Sequence, residues 1–274
     1  EDYQGRRYLV TLLGACWLAA PIPRTRAGDG HFILNMRDIP PFPFEVKSSP
    51  SNESSPICFI SDRDGTKEVF VSNSDGSNPV RLTSDFSRAA EPAWSPDHQR
   101  IAYVHHPKGN ADIAIIDRDG NKVKSVAVSP LDEGGPAWSP IDDRLSFHTF
   151  RDGNWEIYTV DIEQDIPINI THSATDDLNP VWSPDGAHIA FQSMRDGNWE
   201  IYLIDPDGKG LSQITHQAGD DILPSWSPDG SRIAFWSKRS GSWRLYSMVL
   251  ANCKTEALTT YENPGPTPYR AAWS

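Results

Sequence analysis

Tryptophans at positions 94, 138, 182 and 226 stand 44 residues apart, and each opens the same run, Trp-Ser-Pro. A fifth pair, Trp273-Ser274, ends the sequence. Other series keep the register: Gly65, Gly109, Gly153, Gly197 and Gly241; Glu68, Asp112, Glu156, Glu200 and Arg244; Leu82, Val126, Ile170, Ile214 and Leu258. Independent series that share one period mean that one supersecondary unit is repeated. The chain is thereby limited to an array of stacked modules.

Each module reads as four short strands. The first is Pro-x-Trp-Ser, as at residues 180–183. Pro-Asp-Gly then turns the chain, because Pro presets φ and Gly accepts positive φ. The second strand is Ile-Ala-Phe-x-Ser, at 189–193 and 233–237, and a hairpin such as Arg195-Asp196-Gly197-Asn198 follows. The third is Glu-Ile-Tyr-x-x-Asp, at 156–161 and 200–205, and the fourth ends at Thr83, Thr171, Thr215 and Thr259. Four antiparallel strands per roughly 40–45 residues is the pattern of a propeller blade. The expected fold class is therefore all-β, a β-propeller of four-stranded blades. The 23 prolines and 19 glycines suit its many turns, and no long apolar stretch has the 3.6-residue period of a helix.

Five sets of second, third and fourth strands begin near Ile57. The position 44 before Trp94 is Pro50, inside Ser48-Ser49-Pro50-Ser51, which is no buried inner strand. The spare inner strand Ala271-Ala272-Trp273-Ser274 then completes the first blade, giving five blades and leaving no open sheet edge. A six-bladed ring is the competing reading. In it, residues 29–48 supply an irregular blade around His31-Phe32-Ile33-Leu34, or the chain is truncated.

Residues 182–205 read Trp-Ser-Pro-Asp-Gly-x-x-Ile-Ala-Phe-x-Ser-x-Arg-Asp-Gly-Asn-x-Glu-Ile-Tyr-x-x-Asp. This run resembles the WD40-like propeller repeat of TolB-type proteins, and the resemblance extends over about residues 57–274. It implies a periplasmic or extracellular propeller that binds other envelope proteins or forms a subunit of a larger complex. The family's founding type has six blades and an added N-terminal α/β domain, for which the first fifty residues here leave no room. Related repeats occur in propellers attached to serine peptidases, in sensor kinases and in polysaccharide lyases, and a propeller alone does not fix a function. The expectation is a non-catalytic, protein-binding scaffold. The alternative is a propeller enzyme or regulatory domain acting on carbohydrate or peptide.

Residues 1–20 resemble an export signal or membrane anchor: Arg6-Arg7 precede an apolar run that reaches Cys16. Leu13-Gly14-Ala15-Cys16 resembles a lipobox, which would make Cys16 a lipidation site. Glu1 and Asp2 argue against both. Residues 21–56, dense in Pro and Ser, read as an extended arm or linker, and the propeller spans 57–274. No run of 18 apolar residues is present. Cys16, Cys58 and Cys253 are too few and too far apart for a disulfide framework, and Cys58 reads as a small buried residue.

The net charge of −12 makes duplex nucleic acid a poor partner and favours a basic protein or a cation. The carboxylates concentrate in Asp132-Glu133, Asp176-Asp177 and Asp220-Asp221, again 44 apart, in the loops that lead into inner strands. In a propeller such loops ring one mouth of the channel. Converging carboxylates there suit a basic partner segment or a hard ion such as calcium. The structural alternative is that they cap their own loops by accepting backbone N–H groups. The arc is incomplete, with Arg88-Ala89 in the first blade and Pro264-Gly265-Pro266 in the fifth. Trp155, Trp199 and Trp243 share one repeat position and are expected to pack between blades, while His172 and His216 are expected in solvent. No Gly-x-Ser-x-Gly elbow, phosphate loop, dinucleotide fingerprint or paired-His metal motif is present, so no catalytic residue, cofactor or metal is assigned.

Overall fold

The computed structural model describes residues 9–10, 56–84, 88–107, 109–259, 270, 271 and 273. Within these residues the strands form five antiparallel sheets of four, with no helix. The first sheet holds Leu9–Val10 (β1), Ile57–Ser61 (β2), Glu68–Ser72 (β3) and Val80–Arg81 (β4). The second holds Ala90–Trp94 (β5), Arg100–His105 (β6), Asp112–Asp117 (β7) and Lys122–Val126 (β8). Glu133–Trp138 (β9), Arg144–Thr149 (β10), Glu156–Asp161 (β11) and Pro167–Asn169 (β12) make the third. Asp177–Trp182 (β13), Ile189–Ser193 (β14), Glu200–Ile204 (β15) and Ser212–Gln213 (β16) make the fourth. The fifth is Asp221–Trp226 (β17), Arg232–Ser237 (β18), Arg244–Val249 (β19) and Lys254–Ala257 (β20). Order within every sheet follows the chain. These are the five four-stranded blades that the period requires.

The repeated turn explains why first and second strands pair. In the fourth blade the Gly186 N–H donates to the Ser183 carbonyl at 2.9 Å, and the Ser183 hydroxyl donates to Asp185 Oδ1 at 2.6 Å. Gly186 has φ +71°, which a residue with a Cβ adopts only under strain.

The second strands are apolar on both faces, so a blade on its own would leave one face in water. Stacking covers it. Cys58 and Val69 pack on Ile101 and Tyr103, and Ala102 and Ile113 on Leu145 and Phe147. Ile157 and Ile170 meet Ile189 and Phe191, and Ala190 and Ile201 meet Ile233 and Phe235. Phe147, Phe191 and Phe235 are fully buried, each burial contributing about 1.5–3 kcal/mol. A polar tie accompanies the last three of these junctions. The indoles of Trp138, Trp182 and Trp226 donate to the carbonyls of Ala93, Ala137 and Val181 in the preceding blade, at 3.1, 3.2 and 3.3 Å.

Closure of the first blade differs from the expectation. Among the described residues the strand paired with β2 is β1, with Leu9 opposite Ile60 and Val10 opposite Phe59, at the edge expected for residues 271–274. A sheet edge is satisfied by any extended segment that offers N–H and C=O groups, so repeat position alone does not select its occupant. Trp273 nevertheless continues the indole series, donating to the Ser225 carbonyl at 2.9 Å. No packing comparable to that between successive blades joins the fifth sheet to the first among the described residues. Cys16, the Pro/Ser-rich arm up to residue 55, and Pro264-Gly265-Pro266 lie outside the described residues.

Candidate functional site

Neighbouring strands run antiparallel, so the loops leading into β9, β13 and β17 share a face with the hairpins joining second to third strands. Each acidic pair on this face divides into two different groups. The second acid of each pair is buried: Glu133 at 1% exposure, Asp177 and Asp221 at 0%. Each accepts from an arginine of its own hairpin, Arg151, Arg195 and Arg239, at 2.8, 2.9 and 2.8 Å. The arginine is held from two further directions. Its Nε donates to a hydroxyl at the end of the second strand, Ser193 for Arg195 and Ser237 for Arg239, both at 2.8 Å. Its guanidinium lies against Tyr158, Tyr202 or Tyr246, 4.9, 4.7 and 4.7 Å from the ring centroid. Burial pushes Glu133 up to about 7 and Asp177 and Asp221 to about 6, against the pull of their arginines.

The first acid of each pair caps a loop. Asp132 Oδ1 accepts from the Ala111 N–H at 2.8 Å, Asp176 Oδ1 from Trp155 at 3.0 Å, and Asp220 Oδ1 from Trp199 at 3.3 Å. Asp220 Oδ2 also lies 3.4 Å from Lys238 Nζ. Asp132 is exposed and Asp176 half-buried, and the Oδ2 of each carries no hydrogen bond among the described residues. The six acids share a face but do not converge on a point. Among the described residues no three of His, Cys, Asp and Glu are placed to hold a metal ion.

A second polar cluster follows the inner strands. Each carries a bulge at one residue with positive φ: Glu91 (49°), Gly135 (61°), Asn179 (59°) and Leu223 (57°). At Gly135, Asn179 and Leu223 the bulge N–H turns away from its own ladder and is taken by the preceding blade. Glu91 Oε2 accepts from Gly135 at 2.6 Å, His148 Nδ1 from Asn179 at 3.4 Å, and Gln192 Oε1 from Leu223 at 3.0 Å. Gly134 and Gly135 make room for His148, since a Cβ on either would come within 2.6 Å of a ring nitrogen. Burial holds the His148 pKa down to about 4, with Glu91 opposing and Arg270 reinforcing the shift. Water reaches Arg270, but protein crowding still lowers its pKa, with Glu91 pulling the other way.

Trp155 lies edge-on to His148 and Phe150 at 5.1 and 5.4 Å, and Trp243 faces Lys238 at 4.6 Å. These contacts are within a blade rather than between blades. His172 and His216 are exposed, and Cys58 is buried with its thiol pushed up to about 12 by burial.

A family model described as the TolB beta propeller domain matches residues 53–202 and 194–273. The chain belongs to the TolB β-propeller family. The Tol-Pal system protein TolB of Desulfosudis oleivorans is 41% identical over 64 residues, which is 23% of this chain and 15% of that protein. The crystal structure of TolB from Acinetobacter baumannii matches with a TM-score of 0.67 and 26% identity, over 77% of this chain and 54% of that one. This TolB-family chain therefore spans about half or less of these relatives. An oligogalacturonate lyase in complex with manganese shares the fold alone, with a TM-score of 0.57 and 17% identity over 75% of this chain and 62% of that one.

Proposed function

We propose that the chain is a non-catalytic, protein-binding propeller of the bacterial cell envelope, periplasmic and engaged by a basic segment of a partner. The observation that carries this reading is the division within the acidic pairs. Glu133, Asp177 and Asp221 are committed to the fold by their arginines, whereas Asp132 and Asp176 keep free oxygens on the same face. Surface carboxylates on a chain of net charge −12 attract cationic partners and steer their approach. The likeness to TolB proteins supports the envelope setting, and residues 1–20 act in this reading as an uncleaved leader-like segment, since cleavage before Cys16 would remove Leu9–Val10 from the first blade.

Isolation of the protein from the envelope fraction of its source at low salt, with identification of what co-migrates, tests the reading. A stoichiometric protein partner released as salt rises is the expected result. The fold shared with the oligogalacturonate lyase keeps one alternative, an enzyme acting on carbohydrate or peptide. Solitary migration together with turnover of oligogalacturonate or a peptide would replace the scaffold by that alternative.

A further inference from the structure

The second blade departs from its sisters at one place. Where the fourth blade has Asp177, Arg195 and Tyr202 in contact, the same repeat positions hold Ala89, Pro107 and Ala114. The threonine that ties down the third strand's carboxylate, Thr171 or Thr215, becomes Ala127. An acid, a guanidinium, a phenol ring and a hydroxyl are thus lost together. His105, replacing Thr149 and Ser193, recovers part of the space by setting its ring 5.7 Å from that of Tyr103. The remainder is a cavity of about 380 Å³ whose walls include His105, Pro107, Asn110, Asp112, Ser125 and Ser129. Sites for small ligands span roughly 300–1,000 Å³.

The cavity retains an acceptor in need of a donor. In the third blade Glu156 Oε2 accepts from Thr171 Oγ1 at 2.5 Å and from the Ser173 N–H at 2.9 Å. Asp112, at the same position and 8% exposed, accepts at Oδ1 from Asn110 Nδ2 at 2.7 Å. Its Oδ2 carries no hydrogen bond among the described residues. Glu133 of the next blade is close enough that the Asp112 charge contributes to its raised pKa, while Glu133 is itself paired with Arg151. Lys122 also borders the cavity, but it is exposed, and its stem can carry the ammonium into water. The four sister blades place a guanidinium over the ring at the equivalent position, through Arg63, Arg151, Arg195 and Arg239.

We propose that the second-blade cavity binds a guanidinium group, the side chain of free arginine or of an arginine in a partner, in the place of the arginine this blade lacks. A planar fork of N–H donors matches a carboxylate with an unused oxygen better than an ammonium does. The inference stands on the cavity and is independent of the envelope reading.

Titration of the full chain, followed by NMR, with methylguanidinium, L-arginine, an acetylated Gly-Arg-Gly amide and its Gly-Lys-Gly counterpart tests it. Saturable binding of guanidinium probes, at least about tenfold tighter than lysine, is the expected result. Peptide binding without free arginine binding assigns the source to a partner chain, and equal binding assigns it to the free amino acid as well. Asp112→Asn should weaken binding about tenfold or more, the loss of one charge-assisted contact. Pro107→Arg, which supplies the missing group in cis, should abolish binding, with thermal unfolding of both variants reporting that they fold. No saturable binding to the wild type, equal binding of arginine and lysine peptides, or unaltered binding by both folded variants would overturn the proposal.

Discussion

Trp273 Nε1 donates to the Ser225 carbonyl at 2.9 Å, as Trp226 Nε1 donates to Val181 one blade earlier. The last tryptophan therefore sits against the fifth blade as the next inner strand would. At the other end of the array, Trp94 Nε1 is buried without a hydrogen-bond partner among the described residues. Its sisters each bond to the residue preceding the tryptophan of the blade before. In a five-bladed ring that residue is Ala272.

Ring closure makes a covalent prediction. In the second blade Ala93, the residue before Trp94, opposes Ala102 across the strands. The same repeat positions hold Ala272 and Cys58, and β1 occupies the edge that Ala272 would need. Ala272→Cys should therefore leave the Cys58 thiol free under mild oxidation in a Cys16→Ser, Cys253→Ser background, read by mass spectrometry of the digested protein. A disulfide joining position 272 to Cys58 under those conditions would put the C-terminal strand, rather than β1, at that edge.

The buried acid–arginine pairs should dominate stability over the exposed acids. Asp177→Ala leaves Arg195 half-buried without its counter-charge, and removal of one partner of a buried pair costs about 3–5 kcal/mol. Asp176→Ala removes one hydrogen bond at a half-exposed loop and should cost about 0.5–1.5 kcal/mol. Urea unfolding of the two variants checks the ordering. The Asp177→Ala, Arg195→Ala double variant should lose less than the sum of the two singles.

His148 sets a pH signature. Its folded pKa of about 4 lies below the ordinary 6.5, so the unfolded chain takes up the proton first as pH falls. The stability it contributes is present above about pH 6.5 and is lost between there and pH 4, by up to about 3 kcal/mol. The raised carboxyls act in the opposite sense. Glu133 is destabilising as pH rises from about 4.5 to 7, and Asp177 and Asp221 as it rises from about 4 to 6. His148→Gln, which installs the residue found at position 192, isolates the histidine. Relative to the variant, the wild type should lose stability as pH falls from 6.5 to 4, and a pH-independent difference would refute the assignment.

The blade architecture was legible because the hydrophobic pattern and the turn residues recur at one period, so each strand is specified five times. The fate of the acidic pairs was less so. Their equal spacing marks them as equivalent, yet alternation along the strand sends Glu133, Asp177 and Asp221 inward and leaves Asp132, Asp176 and Asp220 at the rim. Arg151, Arg195 and Arg239 keep the same period, and the joint loss of acid and arginine at Ala89 and Pro107 was the available sign that they pair. The bulges at Asn179 and Leu223 had no such sign, because these residues pair their N–H groups with the neighbouring blade and carry positive φ without a glycine. Cys58 was readable from its apolar strand, while Leu9–Val10 as a partner of β2 depends on pairing across nearly fifty residues of chain.

The proposed role rests on a rim whose charges are free for a partner while their neighbours hold the blades. Partner retention at low salt by the Asp132→Asn, Asp176→Asn, Asp220→Asn variant, with melting temperature recorded on the same sample, tests this directly. The variant should release the envelope partner while melting within a few degrees of the wild type, since about 1 kcal/mol shifts a domain of this size by roughly 2–4 °C. Undiminished retention by a folded variant would contradict the account.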